Sequence, residues 1–214
     1  MHVFLLTIIP LTYIVTQYFC YDRKIDREQI FCIFWGLVLA CIYCLIDFFA
    51  VGTKHEWMNS VSLTWGHFLV TETILPVAVC CIPVFIAKDG WRTKVQFLFP
   101  VMAAFLVVFM PYKVITDGSS PDFFRMILYP GMIAAAVFNI DTAASLFAEE
   151  SDLQKLMWLR CLIAFVVIIS GIVFPSLFLA FYYLNQAGAG VYILIAVFIL
   201  GSAGLRVVSK LFLS

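Results

Sequence analysis

The stretch Gly66-His67-Phe68-Leu69-Val70-Thr71-Glu72-Thr73-Ile74-Leu75-Pro76 sets an imidazole and a carboxylate inside one apolar run. These are the side chains that relay protons and hold metal ions, so their spacing limits the chemistry open to them. Five residues of α-helix give about 7.5 Å of rise and a rotation of roughly 500°, so His67 and Glu72 are not expected on one helical line. Thr71 takes the i+4 position from His67, no HExxH pattern occurs, and the chain has only 3 histidines. A zinc site would need help from carboxylates or cysteines, and no metal or cofactor is expected. Glu72 then stands as a lone carboxylate that must either be neutral or find a hydrogen-bond partner. It reads as a proton or cation relay or a ligand contact, or else as a neutral side chain bonded to Thr71, Thr73 or a neighbouring helix.

Other ionisable and polar groups fall in apolar surroundings as well. Asp47 lies toward one end of its apolar segment, and Asn139 and Asp141 lie toward the end of another. Charged groups at such depth usually face a bundle interior, a polar cavity or a partner, so Glu72, His67, Asp47, Asp141 and Asn139 form the candidate binding or relay set. Asp141 with Arg160 or Arg206 reads as a structural ion pair, because arginines at helix ends commonly snorkel or pair. There is no GxSxG elbow and no Gly-rich phosphate loop, which disfavours conventional hydrolytic or phosphoryl chemistry. Cys41-Ile42-Tyr43-Cys44 has the spacing of a redox pair, but it sits within an apolar segment, and the 7 cysteines read as small apolar side chains.

The elements that must position these groups are membrane helices. Of 214 residues, 64% are hydrophobic and 12% charged, against about 25% charged in a soluble domain. Crossing a bilayer takes roughly 20 apolar residues, and seven segments qualify, over 2–20, 29–51, 62–87, 95–116, 122–147, 155–184 and 190–212. The expected architecture is an all-α polytopic membrane protein, one transmembrane helical domain over 1–214 with no soluble domain. A split of segment 155–184 into two helices is the main alternative. Pro10, Pro76, Pro83, Pro100, Pro111, Pro130 and Pro175 all fall in these segments, where each removes a backbone donor and tends to kink its helix.

Lys and Arg orient the segments, since basic loops are retained in the cytoplasm. The first segment is expected to stay attached, because its positive charges, Arg23, Lys24 and Arg27, follow the apolar run instead of preceding it. With the N-terminus outside, Arg23, Lys24, Arg27, Lys88, Arg92, Lys94, Lys155, Arg160, Arg206 and Lys210 fall on the cytoplasmic side, leaving Lys54, Lys113 and Arg125 for the exterior. The C-terminus is then cytoplasmic, and a multi-pass plasma membrane location, of the bacterial inner-membrane type, is expected. The formal net charge is zero and no basic stripe with interleaved aromatics exists, so nucleic acid is not an expected partner. The lipid bilayer is, together with a transmembrane protein partner or a second copy of the chain.

Several fragments together resemble the PrsW-type intramembrane proteases, polytopic proteins whose chemistry is attributed to membrane-embedded glutamates and histidines. Tyr21-Asp22-Arg23-Lys24-Ile25-Asp26-Arg27-Glu28 is similar to that family's charged turn, with Gln29 where a proline is usual. Phe68-Leu69-Val70-Thr71-Glu72 falls where the family carries E-E-x-x-K, and only Glu72 matches. Phe138-Asn139-Ile140-Asp141-Thr142 resembles its helix ending in Glu-Asn. Pro175-Ser176-Leu177 resembles the lead into its last His-x-x-x-Asp motif, where this chain has Leu179 and Tyr183. The resemblance implies a non-proteolytic relative, since nearly every catalytic position differs.

Three functions follow as expectations. The first is a small transport or channel-type protein with a polar path near Glu72. The second is a non-catalytic subunit that binds or assembles transmembrane helices. The last is an active intramembrane protease in which Glu72 and His67 activate water.

Overall fold

The computed structural model describes residues 7, 27–50, 60–86, 91–116, 122–147, 157–184 and 188–212. Every regular element among these residues is helical: α1 (Arg27–Ala50), α2 (Val61–Phe68), a π turn π1 (Leu69–Ile74), α3 (Leu75–Ile86), α4 (Trp91–Thr116), a second π turn π2 (Phe124–Leu128), α5 (Tyr129–Phe147), α6 (Met157–Tyr183) and α7 (Ala189–Phe212). The reason is the solvent: hydrocarbon offers backbone N–H and C=O groups no partner, so they must be satisfied within each segment.

Five helical stretches are long and apolar enough to cross a membrane, namely Ile30–Ala50, Val61–Ile86, Leu98–Thr116, Met157–Tyr183 and Ala189–Val208. The fifth expected span is present as helix, but its apolar part is shorter, Phe124–Ile140. The first expected span, 2–20, lies outside the described residues apart from Thr7. Segment 155–184 is one helix, α6, despite Pro175 within it. Ser176 Oγ donates to the carbonyls of Ile172 at 3.3 Å and Val173 at 2.9 Å, which supplies hydrogen bonds beside the donor that proline lacks.

Side-chain placement inverts the soluble pattern. Asp47, Glu72, Lys113 and Arg125 are buried, whereas Phe49 is 81% exposed, Trp158 87% and Leu200 72%. A surface of this kind is stable only against lipid, and the chain is a multi-pass integral membrane protein.

The helices group into two units interleaved along the sequence, with divisions falling inside three helical stretches, between Ile74 and Leu75, between Gln96 and Phe97, and between Pro130 and Gly131. In the first unit α1 packs against α3 and α4. Successive contacts along α1 and α4 advance together: Gly36 meets Val101, the Tyr43 ring packs at an angle against Phe105 and edge-on against Phe109, and Asp47 meets Tyr112 and Lys113. The two helices therefore run in the same direction, as spans separated by a single crossing must.

In the second unit α2 and π1 pack on α6, where Phe68 lies 4.7 Å from Tyr183 between ring centroids and Trp65 Nε1 donates to Ser176 Oγ at 3.0 Å. Helix α5 meets α6 at Gly171, and it meets α7 where Gly131 approaches Ile199 and Phe138 lies under the Arg206 guanidinium. These last two contacts also advance together, so α5 and α7 are parallel. Phe198 on α7 packs against Phe174 and Phe178 of α6.

Gly36 sets the spacing of the first unit, because a Cβ there would stand 2.6 Å from the Val101 carbonyl oxygen and 3.0 Å from the Ala104 Cβ. Nothing lies within 4 Å of a Cβ at Gly201. Gly36→Leu should therefore destabilise the protein by about 1–3 kcal/mol, the usual cost of overpacking. Gly201→Ala should leave stability unchanged or raise it by up to about 1 kcal/mol. Thermal unfolding of the two variants in detergent measures the contrast, and equal midpoints would refute the assignment of Gly36.

Candidate functional site

Two prolines explain where the helices widen. Pro76 has no N–H to give the carbonyl four residues back, which is that of Glu72, and its ring crowds that oxygen. The chain responds over Leu69–Ile74 by adopting π geometry, in which hydrogen bonds run to the fifth residue. Threonine hydroxyls assist: Thr71 Oγ1 donates to the His67 carbonyl at 2.9 Å, and Thr73 Oγ1 to that of Phe68 at 3.4 Å. Pro130 stands in the same relation to Met126, inside π2. There the Tyr129 N–H reaches the Phe124 carbonyl, and Asp122 caps the start by accepting from the Arg125 N–H at 3.0 Å. Proline alone is not sufficient, since Pro83, Pro100, Pro111 and Pro175 sit in ordinary α-helix.

Each π turn holds an ionisable side chain away from the surface. Glu72 in π1 is 1% exposed and Arg125 in π2 is 0% exposed. The Arg125 guanidinium lies over the Tyr129 ring, 5.6 Å from its centroid. Such turns recur at functional sites because they aim one side chain off the regular helical repeat at the cost of poorer backbone geometry. Half-buried His67 lies in the last turn of α2, two residues before π1 begins, and Glu72 lies within the π turn.

The first unit contains a buried ion pair. Lys113 Nζ lies 2.9 Å from Asp47 Oδ2, with both side chains 7% exposed, and Tyr112 Oη donates to the same oxygen at 2.9 Å. Lys113 Nζ also stands 5.7 Å from the centroid of the Phe109 ring. Sequence reasoning assigned Asp47 to a polar path and missed its partners. The signal was there in depth: Asp47 is three residues from the end of α1 and Lys113 three from the end of α4, and the two spans point the same way.

In the second unit Asn139 is buried, and its Nδ2 donates to Ser170 Oγ at 3.5 Å, which locks α5 to α6. Arg206 places its guanidinium 4.6 Å from the Phe138 ring centroid. Arg160 is half-buried near the start of α6. The side chain of Asp141 lies outside the described residues, and with it the expected pairing to Arg160 or Arg206. The structure thus places Asp47 in the first unit and His67, Glu72, Asn139, Asp141, Arg160 and Arg206 in the second. Among the described residues no group of three His, Cys, Asp or Glu side chains is placed to hold a metal ion.

The fold and these buried charges define an all-helical, multi-pass integral membrane protein. Compared with protein-family models, curated proteins and solved structures, the chain matches none.

Lys113 and Asp47 are within one unit and neutralise each other, so removing one strands the other. Lys113→Met should cost about 3–5 kcal/mol, the loss seen when one partner of a buried pair is deleted. The double variant Asp47→Leu/Lys113→Leu should recover most of it. Detergent unfolding of the single and double variants tests the coupling, and additive losses would show that the pair is energetically idle.

Proposed function

We propose that the protein is a small transport or channel-type protein and that Glu72 is its proton- or cation-handling group. The observation that carries this reading is a carboxylate 1% exposed inside a π turn of a membrane-spanning helix. A helix that needed only to span would avoid both the widened turn and the buried acid, each of which is costly in lipid. His67, at the mouth of the turn and half-buried, is the neighbouring group able to exchange protons near neutral pH. The orientation that accompanies this reading is N-terminus outside and C-terminus in the cytoplasm of a plasma membrane of the bacterial inner-membrane type, following the ten-to-three division of basic residues.

The test is flux. In proteoliposomes containing the full chain, an imposed proton or monovalent cation gradient should dissipate roughly tenfold more slowly with Glu72→Gln, which preserves shape and removes the titratable group. Flux indifferent to this change would eliminate the role of Glu72. Orientation is tested separately: an epitope at the C-terminus should resist protease added to intact cells and be cleaved once the membrane is opened.

A second reading, a non-catalytic subunit that assembles with other transmembrane helices, has one observation in its favour. In the segment resembling the last motif of the PrsW-type proteases, Leu179 is fully buried and Tyr183 stacks on Phe68. Packing side chains occupy the two positions where that motif places His and Asp, and this supports a relative without proteolytic chemistry. Co-purification of a stoichiometric membrane partner, with no flux from the isolated protein, would favour it over transport.

A further inference from the structure

The Asp47 carboxylate is only half satisfied. Lys113 Nζ and Tyr112 Oη both close on Oδ2, each at 2.9 Å, whereas Oδ1 is buried and accepts no hydrogen bond from the described residues. The side chain is 93% shielded, from its 7% exposure. A buried carboxylate oxygen with no donor is an exception in folded proteins, and a bound molecule or ion is one arrangement that satisfies it.

The surrounding charges select the class of molecule. A second cation at Oδ1 would have to shed its water beside the Lys113 ammonium, which lies on the same carboxylate. An anion has no donor to meet at Oδ1. A neutral O–H group can donate to Oδ1 and leaves the pair at zero net charge. We propose that Asp47 Oδ1 is the anchor of a binding site for a small neutral hydroxyl donor, either a water molecule or the hydroxyl of a small polar solute. Cys44, buried and one helical turn before Asp47 on α1, lies on the same helix face. The site is independent of the reading of Glu72, which belongs to the other unit.

Radiolytic hydroxyl-radical labelling of the full chain in lipid nanodiscs, carried out in ¹⁸O-water, tests the site, because a bound internal water is radiolysed in place and oxidises its neighbours. Cys44 should incorporate ¹⁸O roughly tenfold faster than Cys32 and Cys80, which are buried cysteines of the same unit. The excess should vanish in Asp47→Leu/Lys113→Leu, which strands neither charge and whose folding is verified by circular dichroism and monodisperse elution. It should persist in Tyr112→Phe, which keeps the ion pair. Added ethylene glycol separates the two sources: Cys44 labelling, scaled to an admixed dosimeter peptide, falls if a solute hydroxyl displaces the water and holds if the site admits water alone. Labelling of Cys44 no faster than that of Cys32 and Cys80, or an excess that survives the double variant, would overturn the proposal.

Discussion

The constraint on which this structure depends is that hydrocarbon supplies no hydrogen bonds. Every described span answers it with continuous helix, and the departures from α geometry occur where proline withdraws a donor. At Pro76 and Pro130 the helix widens upstream; near Pro76 the Thr71 and Thr73 hydroxyls donate to backbone carbonyls, and before Pro130 the Asp122 carboxylate accepts from the Arg125 N–H. At Pro175 the helix does not widen, and the Ser176 hydroxyl one residue later lies within hydrogen-bond distance of the Ile172 and Val173 carbonyls. The positions of Glu72 and Arg125 follow from this backbone chemistry, since each sits within a turn that proline has distorted.

The same solvent governs the side chains. Apolar residues gain little by leaving lipid for the protein interior, so close packing and polar contacts have to hold the helices together. In the first unit the close approach at Gly36, the ring contacts of Tyr43 with Phe105 and Phe109, and the Asp47–Lys113 pair follow one another along the α1–α4 seam. In the second, Gly171 lets α5 come within contact of α6 beside the Asn139–Ser170 bond, and Trp65 reaches Ser176. Polar side chains here act as local fasteners between particular pairs of helices.

Much of the fold was legible from apolar length alone. The expected segment 29–51 is observed as Arg27–Ala50, 62–87 as Val61–Ile86, and 190–212 as Ala189–Phe212. Apolar runs bounded by charges mark their own ends in a membrane, and interior proline does not end a helix that has no water to fray into. The site was less legible. Glu72 stood out as a buried acid, but the π turn that carries it did not, because such a turn has no compositional signature beyond a nearby proline. The partners of Asp47 were missed for a different reason: Lys113 is 66 residues away, and only the matched depth of two parallel spans connects them.

That sequence separation has a consequence for the making of the protein. Two parallel helices cannot be joined by a tight turn, so α4 reaches α1 only after an intervening span has been threaded through the membrane. At synthesis rates of about 5–20 residues per second, the 66 residues between Asp47 and Lys113 take roughly 3–13 s to emerge. For that interval α1 carries an acid whose permanent counter-ion does not yet exist. Until Lys113 arrives, a newborn chain must keep Asp47 away from lipid by means other than its own completed fold.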